Sequence, residues 1–365
     1  MRLIEKVWFQ GHAAKWWLVP LMLPLSILFW GVSVFRRLLF SLGIKKSIRL
    51  NCPVVVVGNI GVGGNGKTPV VLFLVEQLLK QGIKVGVLSR GYGGKAPYYP
   101  YLLTEQSTAR EAGDEPILIY QRCQVPVVVG ADRIAAAKQL IELGCQIIIS
   151  DDGLQHYRLK RDYELLVVDG NRLFGNGLLL PAGPLRETTQ RLNSVDGIIV
   201  NGVKSLDGCE RVNDSLIKSK TVKHFMQLSA RRIVNVKSGE VIELANFIQA
   251  QPKVNALAGI GDPQRFFSYV AELGFSLNKQ QGFVDHQAYQ PSLFDDIDQP
   301  IYPENTEQIE NDHHKIPLLM TEKDAVKCTE FAQDHWWYLP VDACFTEQSK
   351  ALLITELMSL LNPTK

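Results

Sequence analysis

Residues 61–68 read GVGGNGKT and fit the pattern G-x-x-x-x-G-K-[ST]. In such a loop the glycines let backbone N–H groups close around phosphate oxygens without Cβ clashes. The lysine reaches the β- and γ-phosphates, and the hydroxyl can ligate Mg²⁺. Gly61, Gly63, Gly64, Asn65, Gly66, Lys67 and Thr68 are therefore the candidate nucleotide-binding residues. Pro69 is no obstacle, because first-turn N–H groups of a helix lack intrahelical partners anyway. A phosphate loop needs a metal-anchoring acid at the end of a neighbouring strand. The stretch CQIIISDDGLQH supplies Asp151 and Asp152 after a short apolar run. A plain turn would also explain two adjacent acids, but the phosphate loop upstream favours the metal reading. Gln155 and His156 follow in the same loop, at a strand end where open α/β sheets bind ligands.

Further polar clusters fall on segments that read as loops. SRGYGG (89–94) presents Arg90 and Tyr92, AGDEP (112–116) presents Asp114 and Glu115, and PAGPLRE (181–187) presents Arg186 and Glu187. FVDHQAY (283–289) offers Asp285 and His286. Two phosphate-loop classes are disfavoured. TEKD at 321–324 only approximates the N-K-x-D base-reading motif of small GTPases. Val62 stands where the ATPases that position proteins on membranes carry a lysine. Both absences point to a small-molecule or lipid kinase.

The elements that must position these residues are short apolar runs at 54–59, 85–90, 125–130, 145–150, 164–170 and 197–202. Each is bounded by turn-forming residues, as strands buried on both faces are. Helical periodicity over 69–82 and 132–143 alternates with them, which predicts a mainly parallel sheet with helices on both faces. Residues 224–243 read as two alternating runs joined by a turn at 237–240, a hairpin signal. A second series follows: a strand at 254–261, a helix from about 263 to 273, strands at 316–324 and 336–343, and a terminal helix. The polar, acidic stretch 290–313 reads as a surface loop. The expected division is an N-terminal anchor with basic flank (1–50), a P-loop kinase domain (51–220) and a smaller α/β domain with the connecting hairpin (221–365).

With 365 residues the chain is long enough for two such cores. A net charge of +2 gives no global attraction for nucleic acid, and no nucleic-acid partner is expected. Six scattered cysteines without a CxxC pair argue against structural zinc or a disulfide framework. One segment stands apart. Residues 16–35 carry no charge and are long enough to cross a bilayer core. Trp16, Trp17 and Trp30 lie toward its ends, where indole rings favour the membrane interface. Arg36, Arg37, Lys45, Lys46 and Arg49 follow it, which places the downstream chain on the cytoplasmic side. Pro20 and Pro24 also leave room for an interfacial or docked helix, and a buried soluble helix is the bland alternative.

With these motifs in view, the chain resembles the tetraacyldisaccharide 4′-kinases of lipid A biosynthesis. GNIGVGGNGKTP, SRGYGG, GDEP, DDGLQH, PAGPLRE, DHQAY and TEKDAVK carry the resemblance, in order, from residue 54 to about 327. The resemblance implies an inner-membrane enzyme acting at the cytoplasmic face, with ATP and Mg²⁺. The acceptor would be the 4′-hydroxyl of a lipid A disaccharide 1-phosphate, with membrane lipids as surroundings and no obligate protein partner. Carried over by residue, Lys67 and Thr68 become phosphate and metal ligands, with Asp152 and Glu187 near the metal. Asp114 becomes the catalytic carboxylate and His286 its partner from the second domain. Arg90, Tyr92, Gln155, His156 and Arg186 are left as candidate substrate contacts. For Asp114 the reading is a general base that Glu115 orients, with His286 reaching it only when the domains close on substrate. Two rivals stay open: a membrane-tethered P-loop ATPase that switches a protein partner, and a nucleotide-binding structural module.

Overall fold

The valines of β1 (Val54–Gly58) are buried on both faces, and this strand lies at the centre of the larger of two sheets. The computed structural model describes residues 3–203, 214–298 and 315–361. Cys209 and most of the acidic stretch 290–313, from residue 299 on, lie outside the described residues.

Around β1 the sheet grows outward from both sides. The strands are β2 (Val85–Ser89), β3 (Tyr101–Leu102), β4 (Val127–Val129), β5 (Ile147–Asp151), β6 (Tyr163–Asp169), β7 (Gly197–Asn201) and β8 (Val222–Ser229). Strands β1, β2 and β4–β8 pair in parallel, and β3 closes one edge antiparallel to β4. Because β1 sits between β5 and β6, the loops leaving these three strands converge on one spot. Helices α3 (Lys67–Lys80) and α5 (Asp114–Cys123) cover one face, and α6 (Arg133–Glu142) covers the other. They follow α1 (Leu3–Gln10) and α2 (Lys15–Ser41), while α4 (Ala109–Ala112) is a single turn ahead of α5.

The second sheet is built from β9 (Arg232–Asn235), β10 (Val241–Glu243), β11 (Lys253–Ala258), β12 (Ser276–Gly282), β13 (Leu318–Thr321) and β14 (Trp336–Leu339). Short α7 (Asp214–Lys218) precedes β8, and α8 (Leu244–Ala250), α9 (Pro263–Glu272) and α10 (Glu322–Ala325) connect the second sheet. The chain then returns: β15 (Asp342–Phe345) pairs antiparallel with β8 on the first sheet. Helix α11 (Glu347–Leu361) packs Leu353 and Leu357 into the core shared with α3.

This return corrects the expected boundary near residue 220. Met226 of β8 is buried in the first core, whereas Ile233 of β9 is buried in the second. One alternating run thus serves two sheets, broken at residues 230–231. Residues 336–343 are divided the same way, with Pro340 at the break. We propose a P-loop domain of residues 51–229 with 342–361, and a second domain of 230–341. The hairpin of β9 and β10 is present, but it forms an edge of the second sheet rather than a connector.

Helix α2 is held at a few points. Leu18, near its start, is buried against Val7 and Ala14. At its middle the Ser26 hydroxyl donates to the Leu179 carbonyl at 2.9 Å and accepts from the Ala182 N–H at 2.9 Å. Near its end Arg36 donates to the Gln155 carbonyl and Arg37 to the Ser194 hydroxyl. Its outer side is apolar and open, including Trp16, Leu21, Leu25, Leu28 and Phe35.

Candidate active site

The phosphate loop leaves β1 and enters α3 through Gly66, whose φ of +89° suits glycine. A Cβ there would stand 2.5 Å from Asn201 Nδ2, which donates to the Asn65 carbonyl. Substitution is thus blocked by both backbone strain and space. The Val62 N–H donates to the Pro184 carbonyl, tying the loop to the 181–187 turn. The first turn of α3 holds Lys67 and Thr68, so the positive end of the helix dipole faces the loop.

Beside it β5 ends in Asp151, in register with Val57. Lys67 Nζ lies 3.7 Å from Asp152 Oδ1, and Arg186 donates to Asp152 Oδ2 at 3.1 Å. Burial pushes Asp152 up, but the charges of Lys67 and Arg186 outweigh it and hold the carboxyl below its ordinary value. Asp151 is different. It is fully buried, and its Oδ1 has no hydrogen-bond partner among the described residues. Burial, then the charge of Glu115, pushes it up to about 7 against the pull of Lys67. Glu187 accepts from Gln155 Nε2 at 2.6 Å and from the Tyr157 hydroxyl at 3.0 Å. Both its oxygens are engaged, whereas Asp151 Oδ1 and Asp152 Oδ1 beside the phosphate loop have no hydrogen-bond partner among the described residues.

The loops expected to carry substrate contacts split into two groups. Arg186, Gln155 and His156 gather around β5. His156 is pushed down to about 4 by burial and by the charges of Arg133, Arg90, Arg36 and Arg161, and so stays neutral. Arg90 projects as an exposed side chain at the end of β2. Tyr92 stands across the site, its ring edge-on to His286 at 4.9 Å. The glycines around Tyr92 have a packing reason. A Cβ on Gly94 would meet the Glu111 carbonyl at 2.5 Å, and one on Gly113 the Tyr92 carbonyl at 2.7 Å. The SRGYGG loop therefore lies directly on the turn that delivers Asp114.

Asp114 opens α5 and is 5% exposed. His286 Nδ1 lies 3.1 Å from each of its carboxylate oxygens, across the domain interface. Burial pushes Asp114 up, but the His286 hydrogen bond and the charges of Lys323, His286 and Lys327 win and lower it. A carboxylate there makes Nδ1 a proton carrier, which in the neutral ring leaves Nε2 as the acceptor. Two expectations change. Glu115 contributes its backbone N–H to Asp114 at 2.9 Å, while its side chain pairs with Lys323 instead. The Asp114–His286 pair does not await further closure, because ion pairs already join the domains: Arg122 to Glu322, Arg172 to Asp262, and Arg265 to Asp169.

Comparisons with known proteins show the family. The family model described as tetraacyldisaccharide-1-P 4′-kinase (LpxK) matches residues 18–358. A tetraacyldisaccharide 4′-kinase of Colwellia psychrerythraea is 57% identical over 354 residues, 97% of this chain and 96% of the relative. One from Vibrio cholerae is 45% identical and covers 99% of this chain and 98% of its own. The chain belongs to the tetraacyldisaccharide 4′-kinase family. Its fold matches the crystal structure of LpxK from Aquifex aeolicus in complex with ATP, with a TM-score of 0.72 and 28% identity. That match covers 93% of this chain and 98% of the other.

Membership in this kinase family leaves the roles of single residues to geometry, and several were missed in the sequence. TEKD is not a base reader. Asp324 is fully buried, accepting from the Gly259 N–H, the Tyr289 hydroxyl and the Thr321 hydroxyl. Lys323 and Lys327 both turn toward Asp114, at 3.8 and 3.7 Å. Their four-residue spacing on a helical turn was the available signal. Arg133, buried beneath β5 and donating to the Asp151 carbonyl, carried none, being one of three charged residues along its helix, with Lys138 and Glu142.

Proposed function

We propose that this chain transfers the γ-phosphoryl group of ATP to the 4′-hydroxyl of a tetraacyldisaccharide 1-phosphate, with His286 as the proton acceptor. The observation that carries this reading is the contact of His286 Nδ1 with both Asp114 oxygens, beside a phosphate loop. Asp114 is too buried and too stabilised as an anion to take the proton itself. It engages Nδ1 so that Nε2 is left to accept the proton, and its charge favours the imidazolium that forms. The hydroxyl proton passes to Nε2 as the sugar oxygen bonds to the γ-phosphorus. The bond from that phosphorus to the β–γ bridging oxygen breaks, and ADP leaves. Lys67 and the loop N–H groups hold the phosphates in line.

The donor set also fits Mg²⁺, which is commonly held by one or two carboxylates together with substrate phosphates. The unpartnered buried oxygen of Asp151 supports this, with Thr68 and Asp152 as companions. Bound there, the ion would neutralise phosphate charge. Arg186 pairs with Asp152, and Tyr92 walls the cleft beside His286. We assign Arg90, Gln155 and His156 to the acceptor side.

Incubation with γ-labelled ATP and a tetraacyldisaccharide 1-phosphate in detergent tests the reaction. A labelled lipid is expected. ATP turnover that is indifferent to added glycolipid, with no labelled lipid, would favour the switching ATPase instead.

We place the active site at the cytoplasmic face of the inner membrane. A helix of 27 residues is about 40 Å long. Contacts to the kinase domain at its middle and end favour a helix lying on the membrane over one that crosses it. Its open apolar side would enter the lipid, with Arg36, Arg37, Lys45, Lys46 and Arg49 near anionic headgroups. The variant Leu21→Glu/Leu28→Glu should release the protein from sedimenting vesicles while turnover on detergent-dispersed lipid stays within a few-fold. Deleting residues 1–35 should do more harm, because it also removes Ser26 from beneath the 179–187 turn. Unchanged sedimentation of the double variant would place the anchor elsewhere.

A further inference from the structure

The ammonium of Lys323 has an unusual position for a lysine that serves only an interface. Its Nζ lies 3.0 Å from Asp285 Oδ1, 3.3 Å from Glu115 Oε1 and 3.5 Å from His286 Nε2. It is thus directed at the ring nitrogen that must receive the acceptor's proton. We infer that Lys323 is a catalytic residue that donates a hydrogen bond to the acceptor hydroxyl oxygen while His286 Nε2 takes its proton.

The inference rests on the reading of His286 as base. A hydroxyl at Nε2 donates its one hydrogen to that nitrogen, which leaves its oxygen lone pairs to be satisfied from elsewhere. Lys323 is within reach of the same point and has three donors and no acceptor. As the O–H bond breaks and the O–P bond forms, negative charge passes through that oxygen, and a fixed ammonium beside it lowers the barrier. No proton leaves Lys323. Burial pushes its pKa down, but Glu115, Asp114 and Asp285 outweigh it and push it up, so the side chain remains charged. Lys327, one turn on, is held by Asp324 at 3.0 Å, lies over the Tyr289 ring and approaches Asp114 Oδ2 at 3.7 Å. The bland reading is that Lys323 only bridges Glu115 of the first domain to Asp285 of the second.

Full-length Lys323→Met, Glu115→Gln and His286→Ala, assayed with ATP and detergent-dispersed tetraacyldisaccharide 1-phosphate, separate these readings. Lys323→Met is expected to lower kcat on the order of 100-fold with ATP KM within about three-fold. Glu115→Gln, which removes the bridge and keeps the ammonium, should lose less than about five-fold. The groups facing the imidazole are Asp114, Asp285, Lys323 and the Tyr92 ring, with Glu115 and Lys327 just beyond. Removing the ammonium should move the acidic limb of the lipid kcat/KM profile to higher pH by on the order of one unit, since a like charge disfavours the imidazolium. A bridging ammonium at the same 3.5 Å would move that limb as well, so the loss in kcat, not the limb, separates the two readings. If Lys323→Met melts below assay temperature, Lys323→Cys alkylated with 2-bromoethylamine restores the ammonium. Recovery of kcat there, against identically treated wild type, supports the inference. Lys323→Met within a few-fold of wild type, or Glu115→Gln as damaging as it, overturns the inference. If His286→Ala is then still severely impaired, the base reading survives; an active His286→Ala removes the base reading itself.

Discussion

Lys67→Ala is expected to lower turnover on the lipid on the order of 100-fold or more, the range for deleting one preorganised stabiliser of a developing charge. The side chain is largely enclosed, and its Nζ is held 3.7 Å from Asp152 Oδ1. This placement costs no reorganisation when charge shifts across the γ-phosphoryl oxygens. Asp152 would keep Arg186 as counter-ion at 3.1 Å, so the substitution leaves no unpaired carboxylate and the fold should persist. Steady-state kinetics with labelled ATP, alongside a thermal melt, separate the chemical loss from unfolding. A variant with a wild-type melt and activity within a few-fold of wild type would sink the phosphate-loop assignment and with it the kinase reading of the fold.

The parts of the molecule legible in the sequence were those where one residue type admits one backbone. The apolar runs of β1, β5 and β6 are buried on both faces, so each reads as a strand without reference to its neighbours. GNGK fixes a turn because Gly66 needs positive φ. What failed needed knowledge of partners. Residues 222–235 contain no glycine or proline to mark a break, and nothing local says that Met226 and Ile233 enter different cores. Strand β12 reads SLNKQQG and owes its place to pairing with β11 at the sheet edge, where an apolar pattern is not required. The site shows the same division. Its glycines and charged loops could be picked out singly, yet the proposal that Asp151 rather than Glu187 faces the metal arises only once Gln155 and Tyr157 are seen to bond the Glu187 oxygens. Lys323 and Lys327 become meaningful only after the fold carries α10 against the N-terminus of α5.

The Asp114–His286 pair should show the largest losses of all. Asp114→Ala and His286→Ala are each expected to lower kcat by about 10²–10⁴-fold, the usual worth of a positioned general base, with ATP KM nearly unchanged. Removing Asp114 takes the acceptor from Nδ1, so the imidazole is free to carry its proton on Nε2, where it cannot act as base. It also strands Lys323 and Lys327, each within 4 Å of the lost carboxylate. Removing His286 leaves a carboxylate that is 5% exposed and already stabilised as an anion, a poor substitute base in both reach and basicity. Since either loss disables the same proton transfer, the double variant should be little worse than the single ones, as for residues that act as a unit. The bland alternative is that His286 merely packs at the domain interface against Tyr92. It predicts a lowered melting temperature and a modest kcat effect that multiplies with the effect of Asp114→Ala. Asp114→Asn sharpens the contrast. It preserves volume and a hydrogen bond to the ring but gives up the charge that favours imidazolium, so it should lose about 10²-fold or more in kcat with the interface intact. Losses that multiply in the double variant, or a rise in ATP KM alone, would instead assign the pair to nucleotide binding or to domain packing.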